Sequence, residues 1–272
     1  MTESPSTRSA SAARLVLVNA FLDLHVPGSP LLIPNPWDVG SARLMESLGA
    51  RALATTSSGF AATLARPDGG VPVDDVLAHC SGLVAAVDVP VSADLENGFA
   101  TSAEGVSASY ARAAATGLAG ASIEDWSGTA TYPLAEAAER VAAAREAAPD
   151  LVLTGRAEGY LRGNPSLADA IARLQAYAEA GADVLYAPGL TDLDEIRTLV
   201  SEVPRPVNVL LRPGMSVAQL ADAGVARISV GGSLAWIAWG ATAAATRAFL
   251  DGESGWLEAS GQGRQDAGRV IG

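Results

Sequence analysis

VPVSADLEN (residues 89–97) sets a short apolar run directly against two carboxylates, Asp94 and Glu96. A run this short, rich in valine and apolar on both faces, is the pattern of a buried parallel strand, and the charges fall in the turn where it ends. The same juxtaposition recurs in AGASIED (119–125), ending on Glu124 and Asp125, and in LVLTGRAE (151–158), ending on Arg156 and Glu158. Outward from these, the unit of strand, turn and helix repeats along the chain. The predicted strands are Leu31–Asn35, Ala52–Ser57, Val89–Asp94, Gly120–Glu124, Leu151–Arg156, Val184–Ala187, Val207–Leu211 and Arg227–Val230. Helical runs such as Ala135–Ala147 and Leu167–Ala180 lie between them, with apolar residues spaced by three and four. Several close on a glycine (Gly49, Gly117, Gly181, Gly224), the residue that readily takes the left-handed conformation ending a helix. Eight such units predict an α/β fold, a (β/α)8 TIM barrel, with the strand-end charges converging on one rim.

A helix from Ala12 to Leu24 is placed to cap the barrel floor. Residues 1–11 carry no apolar signal region and read as a disordered lead-in, 12–252 as a single barrel domain, and 253–272 as a mobile tail. The last barrel helix, Leu234–Leu250, is apolar nearly all round, although an outer helix needs only one buried face. That excess predicts burial against another subunit. With 272 residues, 49% of them hydrophobic, the chain can fill one large core.

Composition narrows the chemistry. A net charge of −12 argues against nucleic acid and anionic membrane surfaces as partners. The longest apolar stretch, Leu234–Ala245, is too short to span a bilayer, so a cytoplasmic protein is expected. The single cysteine, Cys80, excludes an internal disulfide and a cysteine-based zinc site. All 18 basic residues are arginine. Without a lysine amine, Schiff-base aldolase chemistry and pyridoxal phosphate attachment are excluded.

Converging carboxylates without excess basic residues suit a divalent cation, and oxygen-only ligands suit magnesium or manganese. Asp94 is the central candidate, its alternative role being a helix cap. Of Glu124 and Asp125, adjacent on a strand, only one can face the barrel centre, and Glu124 has the reach. Arg156 is placed to hold an anionic substrate bidentately, or else to pair with Glu124 or Glu158. Ser57-Ser58-Gly59-Phe60 offers backbone N–H groups to an anion. Asp68 supplies a further loop carboxylate, or a plain turn, and Asp38 a cap for a helix starting at Ser41. His25, His79 and Cys80 read as structural.

These segments resemble the isocitrate lyase/phosphoenolpyruvate mutase superfamily, particularly its short phosphonomutase-like members. The resemblance runs from about Leu24 to Gly252 and rests on LLIPNPWDVGSARL (31–44), ALATTSSGFAATLARPDGG (52–70), VPVSADLENGF (89–99), GASIED (120–125), TGRAEGYL (154–161), GADVLYAPGLTD (181–192) and GVARISVGGSLA (224–235). It implies a barrel whose eighth helix is exchanged between subunits, usually in a dimer of dimers. It implies magnesium or manganese at Asp94, with Glu124 and Asp68 nearby through water, and a catalytic set of Arg156, Glu124 and Asp68. The substrate, a small carboxylic acid, would meet Ser58, Gly59, Phe60, Trp37, Asn208 and Arg156. The implied reaction makes or breaks a C–C or C–P bond beside a pyruvate-like enolate. A non-catalytic binder of small acids is a reading of another class. Many lyases of this family carry lysine and cysteine in the loop after the fourth strand. Here Trp126–Pro133 has neither, which favours a leaving group that needs no such acid, as in decarboxylation of an oxo-diacid, unless Tyr132 supplies the proton.

Overall fold

The computed structural model describes residues 16–271. The predicted lead-in, 1–11, and the start of the first helix lie outside the described residues. Eight parallel strands form a nearly closed barrel: β1 (Leu31–Ile33), β2 (Leu53–Ala54), β3 (Val91–Asp94), β4 (Gly120–Glu124), β5 (Val152–Arg156), β6 (Val184–Tyr186), β7 (Val207–Leu210) and β8 (Arg227–Ser229). Their order is β1-β8-β7-β6-β5-β4-β3-β2. The helices alternate with them: α1 (residues 16–23), α2 (Val39–Ser47), α3 (Ser57–Thr63), α4 (Val73–Val84), α5 (Ala103–Ala114), α6 (Leu134–Ala147), α7 (Leu167–Glu179), α8 (Leu193–Glu202), α9 (Val217–Asp222) and α10 (Ser233–Leu250). Leu53, Leu83, Leu118, Ile123, Leu153 and Leu174 belong to the main core.

The floor is closed by α1, as expected of the helix placed before the first strand. Val18 and Phe21 of α1 pack with Leu31, Ala52, Ala119, Val152 and Val184, residues at or beside strand beginnings. Phe21 explains the glycine in GASIED: a Cβ on Gly120 would stand 2.8 Å from the Phe21 ring and 2.8 Å from the Val152 carbonyl. No real side chain tolerates that approach.

The seam between β1 and β2 is bridged by the Ala54 N–H, which donates to the Pro34 carbonyl at 3.1 Å, and by one side chain. Asn35 Nδ2 donates to the carbonyls of Ala54 (2.9 Å) and Thr55 (3.1 Å), while its Oδ1 accepts from Val230 and Gly231 N–H, both at 2.9 Å. The buried amide thereby uses its full hydrogen-bonding capacity to join the ends of β1, β2 and β8. Asn35→Ala would strand all four backbone groups. We expect it to lose about 2–4 kcal/mol of stability, read as a lower urea midpoint; an unchanged midpoint would show that water replaces the clasp.

The strand ends differ from the sequence reading in one informative place. β2 stops at Ala54 instead of continuing to Ser57, because Thr56 caps a helix, its Oγ1 accepting from Gly59 N–H at 3.3 Å. Asp38 is a cap as expected, but α2 begins at Val39, before Ser41, and Ser41 completes the reciprocal capping pair. On α10 only Ala235 is buried. Beyond Gly252, where a mobile tail was predicted, the chain carries a further helix, α11 (Leu257–Ala267), with no buried residue. Among the described residues, no helix is long and apolar enough to cross a membrane.

Candidate active site

The ends of β3, β4 and β5 bring Asp94, Glu124 and Arg156 together. Arg156 sits at the centre, its Nη1 2.8 Å from Asp94 Oδ1 and its Nη2 2.9 Å from Glu124 Oε2 and 2.8 Å from Glu158 Oε1. Nε also donates to Glu158 Oε1, at 3.1 Å. A second arginine, Arg162, approaches Glu124 at 3.6 Å and Glu158 at 3.4 Å. Burial pushes the Glu124 and Glu158 carboxyls above the usual carboxylate range, against the pull of Arg156. Burial opposes charge on Arg156 too, but Glu158, Asp94 and Glu124 outweigh it and hold the guanidinium ionised.

Asp94 is fixed from the neighbouring strand and turn. Its N–H donates to Thr55 Oγ1 at 2.8 Å, and Ser57 Oγ donates to its Oδ2 at 3.1 Å. The next turn folds back, with Glu96 in the left-handed region (φ 48°) and its N–H donating to Asp94 Oδ1 at 3.2 Å. Burial, then the charges of Asp94 and Asp68, raise the Glu96 pKa to about 7. Asp68, Asp94 and Glu96 thus crowd negative charge at one mouth.

Below this mouth lies a cavity of about 260 Å³. Ser57, Ser58, Asp68, Asp94 and Arg156 line it, together with Tyr186, Asn208, Arg227 and Ser229. Asn208 and Arg227 face each other across β7 and β8, Arg227 Nε donating to Asn208 Oδ1 at 2.9 Å and Asn208 Nδ2 to Ser229 Oγ at 3.1 Å.

The candidates separate cleanly. Glu124 turns to Arg156, whereas Asp125 turns outward to α7 and accepts from the Tyr177 hydroxyl (2.6 Å) and Arg173 (3.1 Å). Ser58 and Asn208 line the cavity; Gly59, Phe60 and Trp37 do not. Gly59 leaves room for Trp37 and Ala235, each of whose Cβ atoms would lie 3.2 Å from an added Cβ, and Phe60 stacks on His79 at 3.8 Å. Tyr132 is held away from the cavity, its hydroxyl accepting from Asn97 at 3.2 Å and its ring lying 4.2 Å from the Arg140 guanidinium. Cys80 is buried on α4, where burial pushes its thiol up to about 12.

Among the described residues, no three His, Cys, Asp or Glu side chains gather into a ready metal-ligand set. The donors nevertheless fit a hard cation that keeps most of its waters, because the mouth offers only oxygen and carries crowded like charge that a cation would relieve. Glu124 is less free, since both its oxygens face arginines. Sequence reading missed Asn35, Thr55, Arg162 and Arg227, and took Ser57 as part of an anion-binding turn and not as a partner of Asp94. For Arg227 there was a signal, a charge at the start of an otherwise apolar strand.

The family model for phosphoenolpyruvate phosphomutase matches residues 21–250. A crystal structure from Burkholderia cenocepacia J2315, provisionally described as a lyase/mutase, superimposes with a TM-score of 0.89 at 44% identity, covering 95% of this chain and 97% of its own. The 2-methylisocitrate lyase of Escherichia coli K12 is 30% identical over 209 residues, 68% of this chain and 70% of that enzyme. Phosphonopyruvate hydrolase, in a complex with oxalate and Mg²⁺, shares the fold with a TM-score of 0.79 at 24% identity, covering 91% of this chain and 90% of its own.

Proposed function

The chain belongs to the phosphoenolpyruvate phosphomutase family, and from that premise we propose that it is a magnesium-dependent lyase breaking a carbon–carbon bond of a small α-oxo or α-hydroxy carboxylic acid. The observation that carries the reading is Arg156, buried at the cavity mouth between the carboxylates of Asp94 and Glu124. Asp94 would hold the magnesium or manganese ion, with Asp68 and Glu124 reaching it through water. The ion would supply Lewis-acid polarisation of the oxo or hydroxyl oxygen.

The chain's own residues have definite tasks. Three of the guanidinium N–H groups of Arg156 donate hydrogen bonds, one to Asp94 and two to Glu158, and Nη2 also lies 2.9 Å from Glu124 as an ion-pair partner. Nη1 carries two N–H groups and gives one to Asp94, so the other remains for the substrate carboxylate. Ser57 and Thr55 fix Asp94 in one orientation, so little rearrangement accompanies charge development. Neither lysine nor cysteine lines the cavity. That supports a cleavage whose leaving group needs no dedicated acid, such as loss of carbon dioxide from an oxo-diacid.

The test is exchange of the C3 protons of pyruvate with deuterated water, followed by proton resonance with magnesium and then with chelator. Magnesium-dependent exchange is expected. Its absence, despite measurable pyruvate and magnesium binding, would overturn the enzyme reading in favour of a binding protein. A panel of oxo-diacids assayed for pyruvate-like products would then name the substrate.

A further inference from the structure

The cavity contains two buried guanidinium groups in opposite electrostatic situations. Arg156, at the mouth, is surrounded by three carboxylates, those of Asp94, Glu124 and Glu158. Arg227, the first residue of β8, lines the same cavity from its deep end and is 5% exposed. Among the described residues, no carboxylate lies within ion-pair distance of Arg227.

Its partners are neutral. Nε donates to Asn208 Oδ1 at 2.9 Å, and Nη1 lies 3.4 Å from His25 Nε2. His25 Nδ1 lies 2.9 Å from the Phe21 carbonyl and 3.2 Å from that of Leu22, so Nδ1 carries the proton and Nε2 presents its lone pair to the guanidinium. Burial, then the nearby positive charge of Arg227, lower the His25 pKa to about 3, so the imidazole stays neutral. Burial and Arg156 likewise lower the pKa of Arg227 to about 10, although Tyr186 opposes them.

A buried charge without a counterion is costly, and a branched apolar residue would fill a barrel layer at lower cost. The surroundings are also polar beyond what packing needs, since Ser229, Asn208 and Tyr186 share that end of the cavity. The other cavity arginine without an ion-pair partner among the described residues is Arg212, but it is exposed and solvated, so its charge calls for no ligand.

We propose that Arg227, with Asn208 and Ser229, forms an anion subsite at the deep end of the barrel that receives the second carboxylate of a short dicarboxylic substrate. The proposal rests on the preceding reading for the other end of that substrate, where Arg156 and the metal hold the α-oxo acid group. It narrows the substrate class from small carboxylic acids to diacids. The planar guanidinium donates two parallel hydrogen bonds to a carboxylate, and Asn208 already orients it through Nε.

Calorimetric binding of succinate and butyrate in the presence of magnesium tests this, since the two differ by one terminal carboxylate. The wild type is expected to bind succinate about tenfold more tightly than butyrate, or better. Arg227→Met is expected to bring that ratio close to one. Arg227→Lys keeps the charge but not the fork, so an intermediate ratio is expected. Arg212→Met is expected to keep the wild-type ratio. Equal affinities in the wild type would overturn the proposal, as would a ratio unchanged in Arg227→Met or lost instead in Arg212→Met. If Arg227→Met does not fold, the wild type and Arg227→Lys decide: a lysine variant with the full wild-type ratio would overturn the fork geometry. Pyruvate exchange in the wild type is scored separately. Its absence with the succinate preference intact would remove the enzyme reading and leave the subsite standing.

Discussion

Asp94→Ala is expected to abolish magnesium-dependent exchange of pyruvate C3 protons, and Arg156→Ala to slow it by about 10²–10³-fold. The two losses have different origins. Asp94 is the carboxylate to which the metal reading assigns direct contact, so its removal should also abolish manganese binding, measured by paramagnetic resonance. Arg156 acts on the charge that develops on the substrate, and manganese should still bind without it. Removing Arg156 also leaves Glu158, which is fully buried, with only the more distant Arg162. Breaking a buried pair from one side typically costs about 3–5 kcal/mol, so the variant must be shown folded by circular dichroism before its rate is read. Arg156→Lys separates the effects, because it keeps a charge among the carboxylates but cannot reproduce the fork. Exchange at wild-type rate in a folded Asp94→Ala protein, with manganese still bound, would sink the assignment. Cys80→Ala should change nothing, since that thiol is buried on α4 and does not line the cavity.

The barrel was legible because its strands are short buried runs separated by helical segments, and because the charges stand where those runs stop. Asp94 and Glu124 end β3 and β4, and Arg156 ends β5, so the elements that position them could be read without knowing the contacts. What could not be read was the hydrogen-bond partner of each charge. Thr55 and Ser57 hold Asp94 across about forty residues of sequence, and nothing local distinguishes them from ordinary turn residues. The same holds for Asn35, whose importance lies in the seam it closes. At Gly98 the chain takes a φ of 81°, which suits the turn, and an added Cβ would meet Val106 at 3.0 Å. Trp37, Gly59 and Phe60 come from segments that carry the family resemblance. Family likeness locates a segment, but only packing decides which side chains in it face the cavity.

Trp239→Asp is expected to break the assembly that the exposed face of α10 implies. Ile237 is 66% exposed, Trp239 52% and Phe249 64%, along a helix with a single buried residue. Such a face is costly in water, and we propose that it is covered in a dimer or a dimer of dimers. Trp236, on the same helix, stands at the cavity, where its Nε1 would lie 2.6 Å from a Cβ on Gly232, so Trp239 tests the contact more cleanly. Losing a buried aromatic anchor typically costs about 2 kcal/mol or more, which raises the dissociation constant roughly thirtyfold. Light scattering across a dilution series should show that shift, and a monomer mass for the wild type at micromolar concentration would refute the assembly. Because the same helix lends Trp236 to the cavity, dissociation should also weaken pyruvate binding. Asp94→Ala should do the reverse, eliminating exchange while the particle mass stays unchanged.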